Sequence, residues 1–577
     1  MFVNPVYKLA PLTERIIEFR GLNKNPVVEE GELKDMKNMT SDEYPCLYQR
    51  KARGQYTMPG GIKKPISMIC KNEKLGIIAE KDGIGESVYA FYYDGEEHPE
   101  VGAWAEDKGI PISEETKMVA INTKICFFPQ KIYYSLIDTN NPVGNLDAAI
   151  LFESATLTET GDGQIIQVQD TSYEEDAFLD FAIGDAINLN VHLEIIVEDE
   201  ELSKDITTAA LIQDIGFDGS TNLPFITVPS ETFLELAEMG VDTASLSNIG
   251  IDKGCPDLDF VMEYNNRLWG VSNKDNTIYA SKLGDPRNWQ YFQNTSIDSY
   301  YAEQGTDGDW TGLAPYSGHM LFFKEQHIHK VYGTAPENYQ IVIAKARGVE
   351  KGSSKSVAIV NDIVFYKSTL GIMAYEGDKP YLISQKFGAT KFKDVVAGTD
   401  GVKYYCSLLK ENNGVYEPYM LACDINKGLW HKEDELKVRD FCLLGDELLF
   451  INENKVDYFN SNNIYVINSK NPMSNEEMIK WMVEIGPFDE YIENKKVVSK
   501  LAMRLSPEEK SELDISISMD NGEYEYLEHI ADYHESVLFV PIVPRRCNKF
   551  TIKLEGIGRC RVESLSRKYR VGTGGML

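Results

Sequence analysis

The chain has 577 residues, of which 43% are apolar and 26% are charged, a globular composition with enough apolar material for several domains. Its 58 basic and 90 acidic residues give a net charge of −32, and such a surface repels nucleic-acid phosphate. No run approaches the ~20 apolar residues of a membrane span, so we expect neither a nucleic-acid-binding protein nor an integral membrane protein.

The opening sequence MFVNPVYKLAPLTER has neither a basic start nor an apolar stretch, so no signal peptide is expected. The nine cysteines are scattered and form no CxxC pair, which argues against a structural zinc site and a disulfide framework. Reduced thiols in a cytosol fit this usage better.

A repeated outline runs through most of the chain: an apolar strand, a turn of Asn, Gly or Asp, an aromatic-rich strand and a third strand ending near Tyr. One copy reads MVAINTKICFFPQKIYYS from Met118, and another reads SVAIVNDIVFYKSTLGIMAYEG from Ser356. A period of about 40 to 50 residues with three or four short strands is typical of β-propeller blades. We expect five to seven blades between residues 20 and 465, because the copies begin at residues 65, 118, 259, 312, 356, 395 and 438.

The interval between the second and third copies is much longer than the others, and it is strongly acidic. Residues 141–260 contain 25 Asp and Glu, against Lys204 and Lys253 as the two bases. A composition shift of this size usually marks a domain boundary. Strands such as AILFESATLT and VHLEIIVED therefore predict a small β-barrel or sandwich, inserted between blades at 143–256.

After Asn471 the apolar pattern changes to strands of period two, as in ELDISISMDNGEYEYLEHI with its hairpin turn at Asp520–Asn521–Gly522. This pattern predicts a C-terminal antiparallel sandwich. The predicted architecture is all-β. An N-terminal segment with the first propeller blades occupies 1–142, the inserted acidic β domain 143–256, the remaining blades 257–468 and the sandwich 469–577.

The end of the chain carries the opposite charge, with nine Lys and Arg against two Glu in residues 541–577. Strand alternation in KFTIKLEG predicts an outward basic stripe that later Lys and Arg residues extend. It is either a solvated surface or a docking site for a carboxylate-rich face of a neighbouring subunit or adaptor. The candidate assembly contacts are Arg545, Arg546, Lys549, Lys553, Arg567, Lys568 and Arg570.

Signals for catalysis and for metal binding are weak. The run SMDNG at 518–522 resembles the start of a sialidase Asp box but lacks the aromatic residue, so a plain hairpin turn is favoured. His327 and His329 share one strand face without a third ligand nearby, and the acidic runs 174–176 and 198–201 lack the spacing of a calcium loop. No GxSxG elbow or phosphate-binding loop occurs. We therefore predict no enzyme activity, no cofactor and no metal.

Three stretches share turn and strand outlines with a known family. They are FRGLNKNPVVEEGELKDMKNMTSDEYPCLYQRKARG, NNRLWGVSNKDNTIYASKLGDPRNW and VPIVPRRCNKFTIKLEGIGRCRVESLSRKYRVGTGG. With them the chain resembles β-propeller virion proteins of tailed bacteriophages, the tail hub, nozzle and stabilisation proteins. The resemblance covers most of 15–140 and 255–577, rests on outlines without a catalytic fingerprint, and leaves the acidic insertion unmatched.

This resemblance implies a non-enzymatic structural protein of the virion tail, made in the host bacterial cytoplasm. It would form a homo-oligomeric ring, a hexamer, around the DNA conduit, as a hub or nozzle through which DNA passes during DNA ejection. Its partners would be other copies of itself, a head-tail adaptor and a tail fibre or tip, with no membrane. An acidic lining suits such a conduit, because like charge suppresses phosphate contacts.

The alternative is a carbohydrate-binding or glycan-hydrolysing β-propeller protein, in which aromatic side chains line a sugar site. The tryptophans at strand ends and turns are the candidates. Packing between blades is the commoner use of such positions, so the structural interpretation is preferred. These residues are Trp269, Trp289, Trp310 and Trp430.

Overall fold

The computed structural model describes residues 11–83, 87–169, 177–197, 200–489, 494–531 and 536–571. The chain is nearly all β, which confirms the predicted class. It divides into two compact units, one of Met1–Ile84 with Ala346–Leu577 and the other of Gly85–Lys345. No helix among the described residues is long and apolar enough to cross a membrane.

The unit Gly85–Lys345 contains three four-stranded antiparallel sheets in which consecutive strands are neighbours. It also contains the hairpin Tyr89–Tyr93 and Glu96–Glu97 and the helix Pro99–Asp107. The first sheet has strands Lys117–Ile121, Lys124–Phe128, Ile132–Ser135 and Val143–Asn145. The second has Phe260–Tyr264, Arg267–Ser272, Thr277–Ala280 and Tyr300–Glu303. The third has Trp310–Tyr316, His319–Lys324, Ile328–Tyr332 and Gln340–Ala344, with a 3₁₀ turn at Pro336–Asn338.

Local sequence explains these sheets. The turn between the first two strands of the second sheet is Asn265–Asn266, and both residues have positive φ, 50° and 60°. Asparagine tolerates this conformation, and two such residues in succession form the tight turn whose twist matches antiparallel strands. The next strand, Arg267–Ser272, is buried at every position. Both of its faces are therefore packed, as in a sheet stacked between neighbours.

The acidic segment forms one seven-stranded antiparallel sheet, whereas a small barrel or sandwich was expected. Apolar side chains such as Leu157, Leu189 and Leu246 form its buried core, together with the short helix Leu234–Met239. Its strands are Ala148–Thr160, Gly163–Val168, Ala186–Val197, Glu200–Leu211, Asp214–Asp218, Leu223–Val228 and Thr243–Lys253. In the sheet order, Glu200–Leu211 and Asp214–Asp218 are the two end strands.

The unit Met1–Ile84 with Ala346–Leu577 contains three further four-stranded sheets. It also has the hairpin Ile62–Lys71 and Lys74–Lys81 and 3₁₀ turns at Ser354–Ser356 and Gln385–Phe387. The first of these sheets has strands Ala358–Val360, Ile363–Ser368, Gly371–Tyr375 and Tyr381–Leu382. The second has Phe392–Thr399, Lys403–Asn412, Val415–Asp424 and Leu429–Lys432. The third has Val438–Leu444, Glu447–Asn452, Asn463–Ile467 and Gly54–Gln55. The third sheet is thus completed by a strand from the other end of the sequence.

The same unit contains two five-stranded sheets, and the opening segment contributes a strand to each of them. One comprises Leu12–Ile16, Lys496–Pro507, Ser536–Pro541, Arg546–Cys547 and Cys560–Val571. The other comprises Leu33–Lys37, Lys480–Phe488, Glu512–Met519, Glu525–Ala531 and Phe550–Ile557. The short strands Met39–Thr40 and Tyr48–Gln49 pair with each other, and a 3₁₀ turn spans Ser474–Met478. The boundaries 1–142, 143–256, 257–468 and 469–577 stay predictions.

Candidate functional site

A cavity of about 810 Å³, here called the loop pocket, lies beside the opening segment of the chain. It is formed between that segment and the residues around 386 and 426–429, and amide, carboxylate and cationic side chains line it together with Tyr44. The lining residues are Glu18, Arg20, Asn23, Asn25, Val27, Glu29, Glu32, Tyr44, Lys386, Asn426, Lys427, Gly428 and Leu429.

Two glycines allow the opening segment to follow this course. Gly21 has φ +71° and Gly31 has φ +87°, a region that favours glycine. A Cβ on Gly21 would lie 2.6 Å from the carbonyl oxygen of Trp430, and one on Gly31 would lie 2.2 Å from that of Glu18. The close approach lets the Leu22 N–H donate to the Trp430 carbonyl at 2.7 Å. The segment is therefore held to the neighbouring sheet by its own backbone.

Glu32 organises the inner side of the loop pocket. Its carboxylate accepts hydrogen bonds from the Asn23 amide at 2.5 Å and the Glu29 N–H at 2.8 Å, and Lys386 Nζ lies 3.0 Å away. Burial raises the pKa of Glu32, but the hydrogen bonds from Asn23, Glu29 and Lys386 outweigh it, and the pKa lies below its ordinary value. The Asn25 N–H donates to Asn23 Oδ1 at 2.9 Å, which extends the network along the loop.

Glu18 and Glu29 lie on either side of Arg20 at the outer rim. The Tyr44 hydroxyl donates to Glu18 Oε1 at 2.5 Å, and Arg20 Nε donates to the same oxygen at 3.1 Å. These two bonds lower the pKa of Glu18. Arg20 Nη1 lies 3.8 Å from Glu29 Oε2, and the Glu29 side chain is 73% exposed. The rim thus combines one firmly ionised carboxylate, one open to solvent and a tyrosine that is 43% exposed.

A second cluster in the same unit is a buried ion network. The Arg53 guanidinium donates to Glu433 and Asp434, each at 2.5 Å, and the Arg53 N–H donates to Glu476 at 2.9 Å. Arg50 binds both carboxylate oxygens of Glu476, at 2.6 and 3.1 Å. Both buried cations are paired with carboxylates, so we assign the network to holding three chain segments together.

The predicted basic stripe is only partly outward. Arg567 is buried, pairs with Glu30 at 3.0 Å and stacks on Phe488, whereas its neighbours Lys568 and Arg570 are exposed. Successive residues of a strand point to opposite faces, so Arg567 cannot share a face with Lys568, and its place on the stripe was predicted wrongly.

The other predicted assembly contacts are half-buried or exposed. Arg545 pairs with Glu525 at 2.5 Å, and Lys553 pairs with Glu555 at 2.7 Å. Arg546 is exposed and Lys549 half-buried. A role of any of these residues in assembly stays a prediction.

The other residues considered for catalysis or metal binding are held in place by contacts within the fold. Asp520 accepts hydrogen bonds from the N–H groups of Asn548 and Lys549, which ties its hairpin to the residues just before the strand Phe550–Ile557. His329 is buried, and its Nε2 lies 3.0 Å from Thr306 Oγ1. Among the described residues, no three His, Cys, Asp or Glu side chains form a group that could hold a metal ion. The acidic residues 174–176 and 198–199 and the glycine-rich end at 572–577 lie outside the described residues.

The four tryptophans proposed for a sugar site do not line one. All are at most 3% exposed and belong to packed cores. The loop pocket was not predicted from the sequence, because its lining comes from one loop and from residues about 360 to 400 positions later. The available signal was the run LNKNPVVEEGE, which concentrates Asn, Glu and Gly before the first buried strand.

No family model matches the chain, and no curated protein matches it. Among solved structures, it is similar to an exo-β-1,3-galactanase from Phanerochaete chrysosporium, at 10% identity over 53% of this chain and 94% of that one, with a TM-score of 0.21. The endosialidase of phage phi92 is 8% identical over 78% and 74%, with a TM-score of 0.25. A family 43 arabinoxylan arabinofuranohydrolase from Bacillus subtilis is 7% identical over 54% and 95%, with a TM-score of 0.14.

These comparisons correct two predictions. A non-enzymatic tail component was predicted, but the similar structures are glycoside hydrolases and an endosialidase. They favour the carbohydrate-active alternative. They contradict both the non-enzymatic tail component and the predicted absence of enzyme activity. At these identities and TM-scores the similarity assigns no activity to this chain, and the function is inferred from the loop pocket.

Proposed function

We propose that this protein is carbohydrate-active and binds a glycan in the loop pocket. The lining of that pocket carries the proposal. Sugars present many hydroxyl groups and flat apolar ring faces, and the pocket offers amides at Asn25 and Asn426, a carboxylate at Glu29 and an exposed ring at Tyr44. Its volume of about 810 Å³ lies within the range of pockets that hold organic ligands.

The charges in the loop pocket favour a neutral glycan. Arg20 is shared between Glu18 and Glu29, Lys386 pairs with Glu32, and Lys427 pairs with Asp424 at 2.5 Å. A cation already paired with a carboxylate offers little to an anionic sugar. We therefore expect neutral sugars to bind more tightly than sugars that carry carboxylates or sulfates.

Binding is tested on an array of neutral and anionic glycans. Tyr44→Ala removes the exposed ring, and we expect at least ~10-fold weaker binding, because an aromatic contact of this kind contributes about 1 kcal/mol or more beyond its area. Tyr526→Ala is the matched control, since Tyr526 is a 62% exposed tyrosine that does not line the pocket. Equal binding by both variants, or no binding by the unmodified protein, contradicts the proposal.

We propose hydrolysis of a glycosidic bond as the reaction in this pocket. Glycosidases use one ionised carboxylate and one carboxylic acid on either side of the glycosidic bond. We propose Glu18, whose pKa is lowered, for the ionised role, and Glu29, the other carboxylate that contacts Arg20, as the candidate proton donor. We expect Glu29→Gln to slow release of reducing sugar by ~100-fold or more while glycan binding persists.

The control for this variant is Glu477→Gln, an exposed glutamate outside the pocket. Full activity of Glu29→Gln excludes Glu29 as the proton donor. Binding without release of sugar from any bound glycan limits the function to recognition.

We also propose that the four-stranded sheets are the blades of a β-propeller. Two features support this: consecutive strands are neighbours within each sheet, and Gly54–Gln55 completes the sheet of Val438–Leu444. Pairing a strand from one end of the sequence with the last sheet is a way to close a ring of blades without free edges. An experimental structure in which these sheets do not stack around a common axis excludes the propeller.

A further inference from the structure

Three side chains on the exposed face of the seven-stranded sheet form a linear hydrogen-bonded set. His192 Nδ1 lies 2.7 Å from Asp205 Oδ1, and Ser203 Oγ lies 3.1 Å from His192 Nε2. The serine and the aspartate therefore contact opposite nitrogens of one imidazole. None of the three lines the loop pocket, and all lie in the other unit of the chain.

Strand pairing places these residues together. Ala186–Val197 and Glu200–Leu211 are antiparallel neighbours, with His192 opposite Asp205 and Glu194 opposite Ser203. Residues two positions apart on a strand share a face, so all four side chains emerge on the same side of the sheet. The arrangement depends on this register, because a one-residue slip would send Ser203 and Asp205 to the other face.

One tautomer of His192 fits a nucleophilic role for Ser203. In this tautomer Nδ1–H donates a hydrogen bond to the Asp205 carboxylate, and the Nε2 lone pair accepts one from the Ser203 hydroxyl. Glu194 Oε1 lies 3.5 Å from Nε2, where it stabilises the imidazolium that forms when the ring takes up a proton. A serine, a base that contacts it and a carboxylate that orients the base are the parts of an activated nucleophile.

We propose that Ser203, His192 and Asp205 form a second catalytic site, one that hydrolyses carboxylic esters. Ser203 Oγ bonds to the acyl carbon while its proton passes to His192 Nε2, and the bond to the ester's alcohol oxygen then breaks as His192 returns the proton to that alcohol. Water next attacks the acyl group on Ser203, giving its proton to His192. The acid is released, and the proton returns to Ser203 Oγ.

The surroundings define the class of ester. Glu194, Ser203, Asp205 and Thr207 are exposed, so the site is an open surface that does not enclose a small molecule. It fits a short acyl ester that projects from a larger molecule, such as an O-acyl group on a polymer. Ser203 lies on an end strand of the sheet, which leaves this side of the site open to a large substrate.

The test uses the full chain and p-nitrophenyl acetate as the probe. We expect Ser203→Ala and His192→Gln each to reduce hydrolysis by ~100-fold or more, and Ser203 to be the residue labelled by a fluorophosphonate. Two controls are matched. Thr207→Ala removes a hydroxyl from the same face, and His529→Gln removes a histidine whose Nδ1 lies 2.8 Å from Asp514.

Hydrolysis that survives in Ser203→Ala overturns the proposal, since it would then come from imidazole chemistry alone. Labelling at another serine, or no labelling, does the same. Ser203, Thr207 and His529 are exposed and His192 is half-buried, and all variants should keep the unfolding midpoint of the unmodified protein.

Discussion

Gly31 sets the course of the opening segment around the loop pocket. Its φ of +87° disfavours any other residue, and a Cβ would lie 2.2 Å from the Glu18 carbonyl oxygen. We predict that Gly31→Ala lowers the free energy of unfolding by about 3 kcal/mol or more, and that it weakens glycan binding. Urea titration measures the first effect and the glycan array the second.

Gly414→Ala is the control, because Gly414 has φ +85° but open space where the Cβ would lie. Gly414→Ala should lower the free energy of unfolding by only about 1 kcal/mol, the penalty of the backbone conformation alone. If both variants lose the same stability, the close approach to Glu18 does not constrain the loop.

The buried position of His431 leads us to predict that the protein loses stability in acid. His431 is fully buried, and burial together with the nearby Lys403 lowers its pKa from 6.5 to about 3, despite the opposing effect of Asp42 and Asp424. The native state therefore binds this proton less readily than the unfolded state. Its stabilising contribution is present above pH 6.5 and is lost as the pH falls from there towards 3.

As the pH falls from 7 to 5, this histidine alone should lower the free energy of unfolding by about 2 kcal/mol. We predict that His431→Leu makes the free energy of unfolding less steeply dependent on pH over that interval, measured by urea titration at each pH. A variant with the same slope as the unmodified protein shows that His431 does not stay neutral in the native state.

At the scale of a strand, Cys560–Val571 shows what sequence reasoning obtained and what it missed. In the preceding strand, Phe550–Ile557, period-two alternation predicts that Phe550, Ile552 and Leu554 face the core, and all three are buried. The same rule places Arg567 and Lys568 on opposite faces of their strand. The prediction instead grouped the two residues on one face because both are basic. A charged residue next to another in sequence is on the other face of a strand.

This gives a direct comparison of two neighbouring cations. We predict that Arg567→Ala lowers the free energy of unfolding by about 2 kcal/mol, because it removes the bond to Glu30 and the contact with Phe488. Lys568 is exposed, so Lys568→Ala should change the free energy of unfolding by less than about 0.5 kcal/mol. Equal effects in chemical denaturation would contradict the inward orientation of Arg567.

For the whole molecule, the sequence predicts the all-β class because turn residues and alternating apolar residues are local signals. The repeat starting near 259, for example, corresponds to the sheet of Phe260–Tyr264 and its successors. The loop pocket needs long-range contacts between Gly21 and Trp430, which no local pattern reveals. Outlines of strands and turns likewise report a fold and not a function, which is why the tail-component prediction failed.

Membership of the phage virion propeller family, a hexameric ring and a location in the virion stay predictions. They concern assembly, which a single chain does not test. A carbohydrate-active chain is compatible with each of them, so the proposed function neither requires nor excludes them.

The most direct test of the proposed function is an experimental structure of the protein with the glycan that binds most tightly on the array. We predict sugar density in the loop pocket, with a ring against Tyr44 and hydroxyl groups within hydrogen-bond distance of Asn25 and Glu29. A glycan bound anywhere else on the chain, with the loop pocket empty, would contradict the account.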